Sequence, residues 1–308
     1  MSLLRRRLWG ALLLTVLTAC PTTMVEAATP SKSRTGKSTV HRTSATRAKK
    51  GKARRRARRP PPGGVYARHA VVLDPATGEL LYEKNAGTTV PIASLSKLMT
   101  AIVFLDQEPD LERVVEVTRA ELNGGGRTKL RNHEQVELGD LLHMSLMCSD
   151  NVATRVLVRE SGLPPEDFLA RMNKKADDLG LQRTRFVEFT GLDERNVATA
   201  ADCARMLQAA AENKRIQEIM TTRSYEFRSA TRPHVVANTN RLLYGRYEIK
   251  GGKTGFISEA GYCFATWVHT QGRDLIAVVL GAPTAATRFA DVVRLIQKTT
   301  TPAVSSAR

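Results

Sequence analysis

The segment Leu95–Leu105 limits what this chain can become more than any other, because almost every face of the helix it would form is apolar. Leu95, Leu98, Met99, Ile102 and Leu105 recur at helical spacing between Ser94 and Asp106, and Ala101, Val103 and Phe104 fill the remaining sides. Such a helix is stable only when covered all round, so the rest of the sequence must supply enclosing layers. Both flanks carry them. Upstream, Ala70-Val71-Val72-Leu73, a turn at Asp74-Pro75-Ala76-Thr77-Gly78 and Leu80-Leu81-Tyr82 predict a hairpin. Downstream, helical patterns at about 138–147, 151–160, 164–178, 199–211 and 213–220 precede strands near Glu248–Thr254, Gly261–His269 and Leu275–Leu280 and a closing helix at about Ala285–Gln297. Strands at both ends with helices between them predict an α/β fold, an antiparallel sheet flanked by helices with a helical lobe.

A formal charge of +17 would suggest a nucleic-acid partner if it were spread over that fold. It is confined to one stretch. Between Ala28 and Pro62 lie 13 Lys and Arg and no acidic residue; once these and the net +2 of residues 1–27 are set aside, the remainder carries only +2. The charged stretch has scarcely an apolar side chain and cannot bury enough surface to offset chain entropy. Residues 28–64 are therefore expected to be a disordered basic linker ending in Pro60-Pro61-Pro62-Gly63-Gly64. It serves either as a solvated spacer or as an attraction to anionic envelope surfaces of lipid headgroup or wall polymer. Ahead of it, Arg5-Arg6-Arg7 and the uncharged stretch Leu8–Ala19 have the order and length of a signal peptide, too short to span a bilayer. Export to the periplasm is expected, with residues 1–27 removed after Val25-Glu26-Ala27, or else with lipid attachment at Cys20 of Leu17-Thr18-Ala19-Cys20. Export sets nucleic-acid binding aside and leaves 65–308 as the folded domain. Cys20, Cys148, Cys203 and Cys263 form no C-x-x-C pair or Cys/His cluster of zinc spacing, so no metal is expected.

Chemistry enters at Ser94-Leu95-Ser96-Lys97. A serine hydroxyl is a poor nucleophile until an adjacent base takes its proton, and residues i and i+3 of a helix are neighbours on one face. Lys97 can be that base once it has shed its own proton, which burial and a second nearby cation favour. The helix start also offers unpaired backbone N–H groups to a developing oxyanion. Alone, S-x-x-K is weak, arising by chance about once in a chain of this length. Two further triplets, each present once, change its weight: Ser149-Asp150-Asn151 after the helix carrying Leu141, Leu142 and Met147, and Lys253-Thr254-Gly255 in a predicted strand. Taken singly, the first reads as a helix N-cap and the second as a turn. In this order the three are the signature of penicillin-binding proteins and class A β-lactamases.

From about Val65 to Ile296 the chain resembles the low-molecular-mass penicillin-binding proteins, the serine-type D-alanyl-D-alanine carboxypeptidases and related DD-endopeptidases. The flanks match as well as the motifs: Pro91-Ile92-Ala93 before Ser94 and Leu98-Met99-Thr100-Ala101 after Lys97, Thr190-Gly191-Leu192-Asp193 before Ala198-Thr199-Ala200-Ala201-Asp202, and Phe256 leading to Glu259-Ala260-Gly261. The resemblance implies a β-lactamase or penicillin-binding transpeptidase-like fold. It implies a DD-peptidase that cuts D-alanyl bonds of peptidoglycan through an acyl-enzyme on Ser94, with Lys97 as proton acceptor. Ser149 and Asn151 would complete the proton relay and hold the substrate amide. Lys253 would lower the proton affinity of Lys97 by like-charge proximity and attract a carboxylate, which Thr254 would bind, while Gly255 would let the peptide lie against the strand edge. The oxyanion hole would be the backbone N–H groups of Ser94 and Phe256. Peptidoglycan stem peptides and β-lactam antibiotics are the implied partners, and no cofactor is implied.

Two departures refine this picture. No E-x-x-L-N segment lies between Ser149 and Lys253, so penicillin hydrolysis is expected to be slow, leaving a long-lived adduct. The sequence also ends soon after its last predicted helix, without the β-rich second domain of the larger carboxypeptidases. That resembles the endopeptidase branch, which cuts D-alanyl crosslinks to diaminopimelate. The competing reading is a wall-binding scaffold with an inactive site, against which Ser94, Lys97 and Lys253 together argue.

Overall fold

Five antiparallel strands form the main sheet, in spatial order Leu80–Lys84, His69–Leu73, Arg273–Ala282, Gly261–Thr270 and Glu248–Ile257. The predicted first hairpin and the three late strands thus meet in one sheet, with the helical lobe inserted between them in sequence. The computed structural model describes residues 64–300. The expected signal segment with Cys20 and both of its processing routes, residues 28–63 of the expected linker, and residues 301–308 lie outside the described residues.

Alternation along the strands decides which layer each residue meets. Val71, Ala265, Ile276 and Val278 pack with the helical lobe. Val72, Phe264, Ala277 and Val279 pack instead with Phe289, Val292, Leu295 and Ile296 of the closing helix Ala285–Thr300. Both faces are covered, which is why Leu275–Leu280 reads as an unbroken apolar run rather than an alternating one.

The helix expected from Ser94 begins later. Ala93–Leu95 form a 3-10 turn, and the α-helix proper runs Ser96–Leu105. The cause is Ala93, whose φ of +50° turns the chain sharply just before Ser94. Ser96 Oγ ties the turn down by donating to the Ala93 carbonyl at 2.9 Å. Leu98, Met99, Val103 and Phe104 are buried, each contributing about 1.5–3 kcal/mol, so the helix and the turn that precedes it are anchored in the core.

The lobe contains the helices Leu138–His143, Asn151–Arg159, Pro165–Asp178, Ala200–Glu212 and Lys214–Thr221. The first stops short of the expected residue 147 because Met144–Cys148 widens into a π-helical turn. Three short strand pairs escape the sequence reading: Val90–Pro91 with Val197–Ala198, Val114–Glu116 with Gln135–Glu137, and Ser224–Arg228 with Pro233–Ala237. Two or three residues are too few for alternation to register, and the inward positions of the hairpin Ser224–Ala237 mix Tyr225, Phe227, His234 and Val236.

Candidate active site

Ser94 sits half-buried on the 3-10 turn, and Lys97, three residues on, is fully buried. Their spacing survives the change of helix type, because 3-10 geometry also stacks residues three apart. Lys97 Nζ lies 3.2 Å from Ser94 Oγ, 2.6 Å from Asn151 Oδ1 and 2.5 Å from the Thr190 carbonyl oxygen. Burial pushes the Lys97 ammonium down to about 7, against the opposing pull of Glu188 and Asp150. A neutral amine has two N–H groups and one lone pair. With the N–H groups given to Asn151 and Thr190, the lone pair is left for the Ser94 hydroxyl, the arrangement a general base requires.

The second motif follows the π-helical turn, where Ser149 adopts a left-handed φ of +64°. Asp150, the middle residue, is the N-cap of the helix Asn151–Arg159, its Oδ1 accepting from the Ala153 N–H at 3.0 Å. The capping reading of this triplet and its site reading therefore coexist, since the cap leaves Ser149 and Asn151 free for other partners. Ser149 Oγ accepts from Lys253 Nζ at 2.8 Å. Asn151 receives Lys97 on its oxygen and donates its Nδ2 to the Gly125 carbonyl at 3.0 Å. Cys148 is no rival nucleophile, because burial raises its thiol to about 11.

The third motif lies in the strand Glu248–Ile257, at the edge of the sheet, rather than in a turn. Lys253 is buried and donates to the Thr254 carbonyl at 2.9 Å as well as to Ser149. Its ammonium is held well below the usual lysine range, by burial first and by the charge of Lys97 next. Burial, not the Lys253 charge expected from the sequence, is the first cause of the depression at Lys97. Thr254 Oγ1 is 2.7 Å from Thr239 Oγ1, and Thr239 donates its N–H and hydroxyl to the Met147 carbonyl at 2.9 and 3.0 Å. The strand and the π-helical turn are thereby tied together. At Gly255 an added Cβ would lie 3.1 Å from both Ile92 O and Ser94 N and 3.2 Å from Ala93 Cβ. The missing side chain thus lets the strand close on the nucleophile turn. From the closing helix, Arg288 Nη1 donates to the Gly255 carbonyl at 3.1 Å, and half-exposed Phe256 stacks on Tyr262 with ring centroids 4.2 Å apart.

Glu188 was not singled out by the sequence. Its carboxylate accepts from the Thr190 N–H at 2.7 Å, Thr190 Oγ1 at 2.6 Å, Asn196 Nδ2 at 2.9 Å and the Gly191 N–H. These bonds fold the Thr190–Gly191 turn so that the Thr190 carbonyl meets Lys97 and Gly191 backs onto Ala93. At Gly191, φ is +82° and an added Cβ would lie 2.0 Å from Ala93 O and 2.7 Å from Ser94 N. No spacing rule marks Glu188; only the resemblance of the Thr190-Gly191-Leu192-Asp193 flank draws attention to this stretch.

Residues 55–284 match the family model described as D-alanyl-D-alanine carboxypeptidase. A D-alanyl-D-alanine endopeptidase of Pseudomonas aeruginosa is 36% identical over 231 residues, 73% of this chain and 74% of the relative. Among solved structures, the DD-transpeptidase of Streptomyces K15 is similar with a TM-score of 0.73 at 26% identity, covering 76% of this chain and 97% of that one. Penicillin-binding protein D2 from Listeria monocytogenes, in its cefotaxime-bound form, gives 0.67 at 31% identity over 77% of this chain and 98% of the other.

Proposed function

Because the chain belongs to the D-alanyl-D-alanine carboxypeptidase family and is a serine-type DD-peptidase of peptidoglycan, we propose that its chemistry runs through an acyl-enzyme on Ser94 with neutral Lys97 as the base. The observation that carries this reading is the Lys97 amine, 3.2 Å from Ser94 Oγ with Asn151 and Thr190 accepting its N–H groups. Lys97 takes the hydroxyl proton as Ser94 Oγ bonds to the D-alanyl carbonyl carbon. The oxyanion that forms is met by the backbone N–H groups of Ser94 and Phe256. Ser149, hydrogen-bonded to Lys253, hands a proton to the leaving nitrogen as the C–N bond breaks, and recovers one from the lysines. Thr254 binds the carboxylate beside the leaving nitrogen. That negative charge supplies what buried Lys253 lacks, so carboxylate binding and protonation of Lys253 reinforce one another. Water then releases the acyl group. A β-lactam amide is opened by the same attack, and its acyl group stays on Ser94.

The pH dependence of acylation follows from the state of Lys97. Its proton affinity is lowered to about 7, so the base is disabled as pH falls through that value and is fully available above it. The rate of Ser94 acylation by labelled penicillin is expected to drop about tenfold per unit below pH 7 and to level off above. A flat profile between pH 5 and 8 would exclude a neutral Lys97 as base.

Within the family, we read the preferred bond as the D-alanyl crosslink, in keeping with the endopeptidase name of the Pseudomonas relative. Mass spectrometry of wall fragments after digestion tests it. Splitting of crosslinked dimers is expected; loss of one alanine from monomers alone would assign a carboxypeptidase, and no cleavage of either would favour the inactive scaffold. Residues 1–27 act as an export signal in this reading, on the strength of the Arg triplet and the uncharged stretch behind it. The mature protein is expected to begin at Ala28 by N-terminal sequencing, whereas a lipid-modified Cys20 would establish the lipoprotein route.

A further inference from the structure

We propose that the cavity beside Ser149 is a subsite for the second strand of a crosslinked substrate, with Arg127 and Lys129 recognising that strand's carboxylates. The inference deepens the crosslink-cutting function proposed above and rests on it.

The cavity measures about 340 Å³, within the range of sites for small ligands. Cys148 and Asp150, the chain neighbours of Ser149, form part of its lining, so it adjoins the hydroxyl assigned to the leaving nitrogen. Another part of the lining, Val235–Ala237, runs within two residues to Thr239, which is hydrogen-bonded to Thr254. Through these chain neighbours the cavity borders the position given to the leaving group's carboxylate.

A departing free alanine has no use for this space, being one methyl and one carboxylate. A crosslinked diamino acid presents the same carboxylate beside its amine, then continues as a methylene chain into a second stem peptide that bears further carboxylates. The lining suits both parts. Val235, about half exposed, and Ala237 offer apolar surface to the methylenes. Arg127 is exposed and no ion pair engages it among the described residues. Lys129 uses one N–H on the Val235 carbonyl at 2.8 Å and keeps two. The acidic residue of the lining, Asp150, is buried and turned inward to the Ala153 N–H and Thr128. What faces an incoming strand is thus positive.

The test compares two substrates on the full-length protein, a crosslinked muropeptide dimer and a monomeric stem ending in D-Ala-D-Ala, as the ratio of their kcat/KM values. Arg127→Glu with Lys129→Glu is expected to lower the dimer-to-monomer ratio about tenfold, the scale of two partly exposed ion pairs reversed. Because Lys129 also braces Val235, Arg127→Glu alone keeps the result independent of that contact, with an expected fall of about threefold. Amidating the carboxylates of the dimer's second stem, with the one beside the scissile nitrogen left free, should lower the parent enzyme's ratio by a similar factor and cause no further fall in the double variant. A ratio unmoved by the substitutions overturns the subsite and leaves the function standing. A parent enzyme that leaves the dimer uncut overturns the crosslink-cutting function, and the subsite with it.

Discussion

Replacing Ser94 by alanine is expected to abolish covalent labelling by penicillin and to lower cleavage of D-alanyl substrates by about 10⁴-fold or more, the scale seen when a nucleophile that acts together with its base is removed. The loss is chemical rather than structural. The hydroxyl is half-buried and, among the described residues, its hydrogen bond is to Lys97 alone, so the variant should keep the parent's thermal transition to within about 1 kcal/mol. Neighbouring hydroxyls offer no substitute. Ser96 is buried, donates to Ala93 O and accepts from Asn196 Nδ2 at 3.1 Å. Ser149 is the other serine in contact with a buried lysine, at 2.8 Å from Lys253. Label retained by the variant would move the nucleophile to Ser149 and undo the assignment.

The second large effect is expected at a position with no functional group. Gly191→Ala would set a Cβ 2.0 Å from Ala93 O and 2.3 Å from Ala93 C, both backbone atoms that cannot swing aside. The residue would also have to hold φ at +82°. Left-handed strain of about 1–2 kcal/mol adds to overpacking of about 1–3 kcal/mol, and the turn must retreat to relieve them. Retreat carries the Thr190 carbonyl from Lys97 and loosens the turn beneath Ser94. Acylation is expected to slow at least about 100-fold, with the misplacement of the base supplying most of the loss. Gly162→Ala is the control, since φ there is +80° with nothing within 4 Å of an added Cβ. It should show the left-handed strain alone and acylate normally. Parent-like acylation by the Gly191 variant would mean that close approach at this turn is not what positions Ser94.

The contrast between these positions explains what could be read from the chain in advance. The helix around Lys97, the late apolar strands and the three motifs are local patterns, visible because their spacing is written in consecutive residues. Even the burial of Lys97 was implicit, since it lies within a helix apolar on nearly every side. The displacement of Ser94 onto a 3-10 turn was not visible, because Ala93 is held at positive φ where Gly191 and Gly255 press in from distant parts of the chain. Glu188 was hidden for a related reason: two of the four donors to its carboxylate are backbone N–H groups, which sequence spacing does not reveal. The pair Val114–Glu116 with Gln135–Glu137 was lost because alternation over three residues carries little information.

The pincer of Gly191 and Gly255 around the serine turn also sets a schedule. Both jaws arrive from chain made after the nucleophile, and the later jaw is fastened by Arg288 from the closing helix. A nascent copy halted before that helix holds the Ser94–Lys97 pair and both jaws yet lacks the Arg288 bond to the Gly255 carbonyl. The last jaw is thus fastened only once the final helix has been made.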